Sequence, residues 1–248
     1  MAVLSTNQIK FIRSLSNKKF RQESGLFIAE GEKIVAEALK SNFIIRDVYR
    51  VEDIGEECMG RISCLSSPSP VLAVIEQKKD SPHREEELLN SANYSSRFPL
   101  CLALDGVRDP GNLGTIIRIA DWFGIDAIFA SKDTVELYNP KVVQATMGAI
   151  FRKEVMYGNL SGIIKEFSAN ELPVYGTFMD GENLYNKNIE CKGLIVMGSE
   201  SFGISKEIEQ LISHKLLIPS YPVNSHTSTS ESLNVAIATA VICAEFRR

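Results

Sequence analysis

The sequence contains no apolar run that approaches the roughly 18 residues needed to span a membrane. Its first residues, MAVLSTNQIKFIRSL, lack the apolar core and the small-residue cleavage site of a secretory signal. The apolar share of 44% is typical of a globular chain. We therefore expect a cytoplasmic protein.

Metal-binding and disulfide patterns are also absent. The five cysteines are scattered and form no CxxC pair: Cys58, Cys64, Cys101, Cys191 and Cys243. The three histidines lie far apart in the sequence, which favours surface positions over metal ligation: His83, His214 and His226. We expect neither a disulfide framework nor a bound metal.

Two glycine-rich nucleotide motifs, GxxxxGK[ST] and GxGxxG, do not occur in the sequence. Their absence weighs against a nucleotide-binding α/β enzyme, which stays open as an alternative function. The net charge of −4 argues against attraction of the whole surface to nucleic acid.

Positive charge is concentrated near the N-terminus. Five basic residues occur there with no acidic residue among them: Lys10, Arg13, Lys18, Lys19 and Arg21. They predict either a patch that contacts RNA phosphates or a solvated basic helix end. Phe11 and Phe20 lie among them, and could stack on unpaired bases or pack in the core.

The apolar pattern divides the chain into two parts. Residues 1–76 predict a small α/β unit, with helices at Lys10–Leu15 and Lys33–Leu39 and strands at Phe43–Val51 and Val71–Ile75. The five basic residues, and with them the predicted phosphate contacts, lie within this unit.

A polar, charged segment at residues 77–98 is typical of a linker, with a short helix at Arg84–Leu89. In residues 99–248, short apolar runs alternate with helical stretches; the runs are LCLALD, AIFAS, VYGTF, LIVMG and KLLIP. This alternation predicts an α/β fold with a mostly parallel sheet and helices on both faces. Such sheets bind ligands at the carboxyl ends of their strands.

The first segment that could carry chemistry is LDGVRDPGNLGTIIRIAD, at residues 104–121. A helix is predicted to begin near Asn112, whose side chain is typical of an N-cap. Arg118 is a charge within an otherwise apolar helix. It is either a functional cation or a structural arginine that pairs with a nearby aspartate: Asp105, Asp109 or Asp121.

The second segment is LIVMGSESFGIS, at residues 194–205. An apolar strand ends at Gly198, Glu200 and Gly203 follow, and a helix capped by Ser205 is predicted. The Glu200 carboxylate would repel a pyrophosphate and favours a positively charged or hydroxyl-bearing ligand. A tight strand-to-helix turn without a ligand is the alternative.

The third segment covers residues 216–248. A strand is predicted to end at Pro219, and a long helix carries Leu233, Ile237, Val241 and Ala244. A capping box of Ser228 and Glu231 explains part of the polar cluster before this helix. It does not explain Ser232 and Asn234.

In this order, the three segments resemble the motifs of the SpoU/TrmH branch of the SPOUT methyltransferases. The pattern N-x-G-x-x-x-R-x-A-D occurs at Asn112–Asp121, G-x-E-x-x-G at Gly198–Gly203, and I-P…S-L-N-V at Ile218-Pro219 and Ser232–Val235. The segment KKFRQESGLFIAEGEKIVAEAL is similar to the family's substrate-binding extension, a ribosomal-protein-like α/β domain. The resemblance covers most of the chain.

The resemblance implies transfer of a methyl group from S-adenosylmethionine to a ribose 2'-hydroxyl in RNA, with ribosomal RNA favoured over transfer RNA. It also implies a C-terminal trefoil knot and a homodimer, formed through the C-terminal domain, whose active sites straddle the interface. The family's catalytic positions correspond to Asn112, Arg118, Glu200, Ser232 and Asn234. Its cofactor-binding positions correspond to Met197, Gly198, Gly203, Ile218, Pro219 and Leu233.

By the family pattern, Arg118 contacts the RNA ribose or phosphate and is the proposed base, oriented by Asn112. Because a guanidinium is not normally deprotonated in proteins, stabilisation of the developing alkoxide is an equal alternative. The sequence departs from the family pattern in its long, glycine-free loop SYPVNSHTSTSE and in Ser69-Pro70-Val71, where the family has P-Q-G. A transfer-RNA methyltransferase and a non-catalytic RNA-binding protein of the same fold remain as alternatives.

Overall fold

The computed structural model describes residues 4–78, 100–187, 189–221 and 232–248. It divides into two compact units, Met1–Lys79 with Glu136–Arg152 and Asp80–Val135 with Lys153–Arg248. Nothing in the sequence pattern predicts that residues 136–152 belong to the first unit. Most of the predicted linker, including its short helix, lies outside the described residues.

The elements follow one another in this order. Up to residue 78 they are α1 (Thr6–Ser14), α2 (Lys18–Ser24), β1 (Leu26–Glu30), α3 (Glu32–Lys40), β2 (Ile45–Arg50), α4 (Val51–Ile54), α5 (Glu56–Ile62) and β3 (Val71–Glu76). From residue 100 they are β4 (Leu100–Asp105), α6 (Pro110–Trp122), β5 (Ile128–Ser131), α7 (Pro140–Thr146), β6 (Val155–Gly158), α8 (Leu160–Ala169), β7 (Val174–Asn183), β8 (Gly193–Gly198), α9 (Lys206–Glu209), β9 (His214–Leu217) and α10 (Val235–Phe246).

The first unit contains a sheet in which β3 lies between β1 and β2 and is antiparallel to both. The first five residues of β3 are buried, as expected of a central strand. The helix predicted near the N-terminus begins earlier than expected, at Thr6. The reason is a capping box, in which the side chains of Ser5 and Gln8 each bind the other's backbone N–H.

Arg21 differs from the other basic residues that were candidates for RNA contact. Its side chain is buried, with 1% of the residue exposed. The guanidinium donates to the carbonyls of Leu15 and Ser16 at 2.9 and 2.8 Å, and to both carboxylate oxygens of Glu136 at 3.1 and 2.5 Å. Because these donors point into the unit, they are not available to RNA. The prediction that Arg21 binds RNA is therefore corrected: Arg21 has a structural role.

The second unit is built on a wholly parallel sheet with the strand order β6-β5-β4-β8-β7-β9. Helix α8 packs on β5, β7 and β8, and α10 packs on β8 and α6. Strands β4 and β8 are continuous apolar runs because both lie inside the sheet and are covered by helices. The predicted α/β fold, with a smaller N-terminal unit, is confirmed.

Among the described ranges, no helix is long and apolar enough to cross a membrane. The chain between β9 and α10 passes through residues 222–231, which lie outside the described residues. The implied trefoil knot therefore stays a prediction. His83, His226 and the capping box of Ser228 and Glu231 also lie outside them, and the observed N-cap of α10 is Asn234.

Candidate functional site

The strand order of the second unit creates a crevice between β4 and β8. From β4 the chain continues through α6 to β5 on one side, whereas from β8 it continues through α9 to β9, on the other side. The two strands are neighbours, with Asp105 opposite Gly198 at their carboxyl ends. Because open parallel sheets bind ligands at such a reversal of direction, this crevice is the candidate site. The first and second motif segments both begin there.

The first loop, which leaves β4, is fixed by hydrogen bonds to the end of β5. Gly106 has φ +73°, and its N–H donates to the Ser131 hydroxyl at 2.9 Å. The same hydroxyl donates to Asp133 at 2.6 Å and, together with nearby Arg108, lowers the pKa of that carboxyl. The loop is therefore held in place before the helix begins.

Helix α6 begins at Pro110, two residues before the predicted start. Its N-cap is Asp109, whose carboxylate accepts the backbone N–H of Asn112 at 2.8 Å. Proline is favoured at the first helical position, because its missing N–H would be unpaired there. The prediction that Asn112 caps this helix is thus wrong, and its side chain is free to bind elsewhere.

The second loop folds tightly on itself after β8. Ser199 and Gly203 exchange backbone hydrogen bonds at 3.0 and 2.9 Å, and Gly203 has φ +66°. The backbone N–H of Ser205 then donates to the Asp105 carboxylate at 2.7 Å. This contact joins the first and second loops. Sequence reasoning considered Asp105 only as a partner of Arg118.

Three predicted catalytic side chains from three separate segments form one hydrogen-bonded chain. The amide nitrogen of Asn112 donates to Glu200 Oε1 at 2.5 Å. The amide nitrogen of Asn234 donates to Asn112 Oδ1 at 2.9 Å. The structure therefore brings together Asn112, Glu200 and Asn234, which are separated by up to 122 positions in the sequence.

The start of α10 sets the orientation of this hydrogen-bonded chain of side chains. Asn234 Oδ1 accepts the N–H groups of Ala236 and Ile237 at 2.9 and 3.2 Å. Its amide nitrogen must then face Asn112, which turns the amide nitrogen of Asn112 toward Glu200. A helix cap thus determines which atom meets the Glu200 carboxylate.

Arg118 lies apart from these three side chains. It follows Asn112 by six residues on α6, which places it about 9 Å along the helix axis and about 120° around it. Its side chain is exposed, and no ion pair or hydrogen bond joins it to another described residue. The structural alternative, a pair with Asp105, Asp109 or Asp121, is not observed.

The remaining predicted site residues differ in their exposure. Met197 and Gly198 are buried in β8, and Ile218 and Pro219 are half-buried just after β9. Ser232 is exposed two residues before the cap of α10, and Leu233 is 51% exposed. The predicted RNA-binding residues Lys10, Arg13, Lys18 and Lys19 are exposed on α1 and α2 of the first unit. The described residues contain no cluster of histidine, cysteine and carboxylate ligands that could hold a metal ion.

Comparison with known proteins identifies the family of this chain. Residues 99–244 match the model of the SpoU rRNA Methylase family, and residues 6–79 match that of the MRM3-like substrate binding domain. The 23S rRNA (guanosine(2553)-2'-O)-methyltransferase RlmP of Bacillus subtilis (strain 168) is 28% identical over 97% of this chain and 96% of its own length.

Solved structures resemble the chain over nearly its whole length. A TrmH-family protein from Porphyromonas gingivalis has a TM-score of 0.83 and 36% identity, covering 99% of both chains. The AdoMet-bound rRNA methyltransferase from Sinorhizobium meliloti has a TM-score of 0.83 and 29% identity, covering 99% of this chain and 97% of that one. The resemblance predicted from the three motifs is confirmed, and the chain belongs to the SpoU rRNA methylase family.

Proposed function

We propose that this protein transfers a methyl group from S-adenosylmethionine to a ribose 2'-hydroxyl in ribosomal RNA. The observation that carries the proposal is the hydrogen-bonded chain of Asn112, Glu200 and Asn234 at the crevice between β4 and β8. It joins the three family motifs at the place where a parallel sheet binds its ligand. Family membership supplies the reaction class.

The residues at the crevice fit S-adenosylmethionine. A Cβ added to Gly203 would meet no atom within 4 Å, so a ligand can approach the backbone there. Apolar Ile218, Pro219 and Leu233 suit the adenine ring, and the Glu200 carboxylate suits a cationic sulfonium. When bound, the cofactor supplies an activated methyl group. The AdoMet-bound Sinorhizobium meliloti enzyme supports this choice of cofactor.

Replacing Gly198 by alanine is expected to weaken cofactor binding at least about tenfold, because the second loop must shift. A Cβ at this position would lie 2.1 Å from the Gly203 carbonyl carbon and 2.3 Å from the Ile204 nitrogen. Calorimetric titration with S-adenosylhomocysteine measures the effect. Gly60→Ala is the matched control, since the nearest atom to its Cβ would be Pro68 Cγ, at 4.0 Å. Unchanged affinity in Gly198→Ala would contradict this role.

The character of α10 supports a homodimer formed through the second unit. The helix sequence VAIATAVICAEF is apolar on every side, as expected of a helix that is covered all round. Its outward stripe nevertheless includes Ile237, which is 53% exposed, and the neighbouring α6 exposes 85% of Trp122. We propose that a second copy of the chain covers both helices.

The proposed dimer gives Arg118 a function. Arg118 precedes Trp122 by four residues and therefore lies on the same side of α6, one helical turn away. A second copy that covers Trp122 also receives Arg118, which is remote from the Asn112 side chain of its own protomer. Each active site would then combine one protomer's Asn112, Glu200 and Asn234 with Arg118 of the partner subunit.

In this composite site, the chain's own residues position the reactants. Asn112 and Asn234 hold the Glu200 carboxylate in one orientation, and exposed Ser232 offers a hydroxyl to the RNA. Arg118 holds the phosphate beside the target ribose and stabilises the 2'-alkoxide as it develops, while the hydroxyl proton leaves to solvent water. A guanidinium stays protonated in proteins, so we assign Arg118 the role of a cation rather than a base.

Ribosomal RNA is the proposed substrate because the N-terminal residues match the MRM3-like substrate binding domain. The exposed Lys10, Arg13, Lys18 and Lys19 would contact its phosphates. A ribosomal substrate also accords with the cytoplasmic location expected from the sequence.

The test supplies the purified protein with tritiated S-adenosylmethionine and, in separate reactions, transfer RNA, naked ribosomal RNA or ribosomal subunits. We expect label in a ribosomal fraction, at a linkage that alkali does not cleave, since a 2'-O-methyl group removes the hydroxyl that attacks the phosphate. Label in transfer RNA alone would contradict ribosomal RNA as the proposed substrate. Absence of label from every RNA would contradict the proposed methyl transfer.

A further inference from the structure

Two phenylalanines on the first unit are unusually placed. Phe11 is 47% exposed on α1, and Phe20 is 46% exposed on α2. Sequence reasoning left open whether they pack in the core or stack on bases, and the structure excludes full burial. We infer that α1 and α2 bind an unpaired stretch of RNA, with bases stacked on Phe11 and Phe20. This inference rests on the proposed RNA substrate and specifies its form.

Folding alone does not account for the outward position of Phe20. Arg21, the next residue, occupies the buried side of α2, although an arginine costs far more to bury than a phenylalanine. On α1, the buried side is already occupied by Ile9 and Ile12, and Phe11 lies away from it. The chain thus keeps two large apolar side chains about half exposed while it buries a cation.

The charged residues that neighbour the two phenylalanines in the sequence favour a polyanion. Lys10, Arg13, Lys18 and Lys19 are all exposed, and residues 5–22 include no acidic residue. Lys19 has one acidic neighbour, Glu23, at 3.9 Å, with both side chains more than half exposed. Such a pair is weak, so the lysine remains available to a phosphate.

Rings and cations together distinguish unpaired from paired RNA. In a duplex the base faces are stacked on one another and closed to a side chain, so only phosphates and 2'-hydroxyls would be available. In an unpaired segment each base presents a face to an aromatic ring, while the backbone runs along the cations. Exposed phenylalanines therefore add binding energy only for the unpaired form.

The experiment measures fluorescence anisotropy of a labelled oligoribonucleotide of about 12 nucleotides, single-stranded or in a matched duplex, with the full-length protein. Phe11→Leu and Phe20→Leu keep an apolar side chain but remove the ring. We expect each to weaken single-strand binding about fivefold or more and to leave duplex binding unchanged. Phe20→Trp is expected to restore or strengthen binding.

Leu39→Ala is the matched control. Leu39 is 52% exposed on the same unit, on α3 and outside the basic segment. We expect it to bind both RNAs as the wild type does. The Lys18→Gln/Lys19→Gln variant is expected to reduce the salt dependence of binding, whereas the phenylalanine variants leave that slope unchanged. Thermal unfolding of each variant identifies a loss of fold.

The outcomes separate this inference from the proposed function. Suppose that the wild-type protein transfers methyl groups and that the folded Phe11→Leu/Phe20→Leu variant binds single-stranded RNA normally. This result would overturn the inference and leave the proposed function intact. Ring-dependent RNA binding without methyl transfer would overturn the proposed function alone. A wild-type preference for the duplex would also overturn the inference.

Discussion

Replacing Arg118 by alanine is expected to lower the rate of methyl transfer about a hundred- to thousandfold, the usual loss when a group that stabilises a developing oxyanion is removed. The dissociation constant for S-adenosylhomocysteine should change little, because Arg118 contacts no described residue of the cofactor crevice. Single-turnover kinetics and calorimetry measure the two quantities. Arg118→Lys should recover only part of the rate, since an ammonium lacks the planar fork. Full activity in Arg118→Ala would contradict the proposed role.

Mixed dimers decide whether Arg118 acts across the subunit interface. Arg118→Ala and Asn234→Ala are each expected to be inactive as homodimers. If the site is composite, co-expression restores one complete site in each mixed dimer, which amounts to about a quarter of all sites after random pairing. If Arg118 acts within its own protomer, no mixed dimer contains a complete site, and the activity stays at the background of the separate variants.

The sheet of the second unit could be predicted because its strands leave a local pattern. LCLALD and LIVMG are uninterrupted apolar runs, and they became the central neighbours β4 and β8. No such pattern marks the second half of β7, since the apolar run VYGTF covers only the first half of the strand. Its continuation depends on Gly181, where a Cβ would lie 2.5 Å from the Leu216 carbonyl carbon. That close approach between distant segments is not encoded locally.

The motif residues of the site were predictable by family resemblance, but their contacts were not. Asn112 has the side chain of an N-cap, and local reasoning assigned it that role. Asp109 followed by Pro110 was the stronger signal for the start of α6, and it frees Asn112 for Glu200 and Asn234. Which side chains meet at the crevice is decided by strand order, which a single sequence does not display.

The basic N-terminal segment could be found from its charge, but charge did not reveal which of its cations is buried. In the sequence, nothing about Arg21 sets it apart from its exposed basic neighbours. Its burial depends on Glu136, which is 115 positions away and belongs to a segment that sequence reasoning placed in the other domain. Arg21 should therefore affect stability, and Lys18 and Lys19 should affect RNA affinity.

Replacing Glu136 by alanine is expected to destabilise the first unit by about 3–5 kcal/mol, because it leaves the buried guanidinium of Arg21 without its counter-charge. Arg21 is 1% exposed, and the Glu136 side chain is 17% exposed, so water cannot replace the lost carboxylate well. Such a loss is a large fraction of the stability of a typical domain. Amide hydrogen exchange in β1 and β3 measures it, since these strands report on this unit.

Two further variants distinguish a lost ion pair from a general loss of packing. Glu23→Ala removes the carboxylate of the exposed Lys19–Glu23 pair and should cost at most about 1 kcal/mol. Arg21→Met/Glu136→Leu removes both charges and should recover much of the stability lost in Glu136→Ala, since an apolar pair needs no counter-charge. If the double variant is as unstable as Glu136→Ala, the cost lies in the shape of the site rather than in the uncompensated charge. If it recovers stability and still binds RNA through Lys18 and Lys19, the buried and exposed cations of this segment have separate roles.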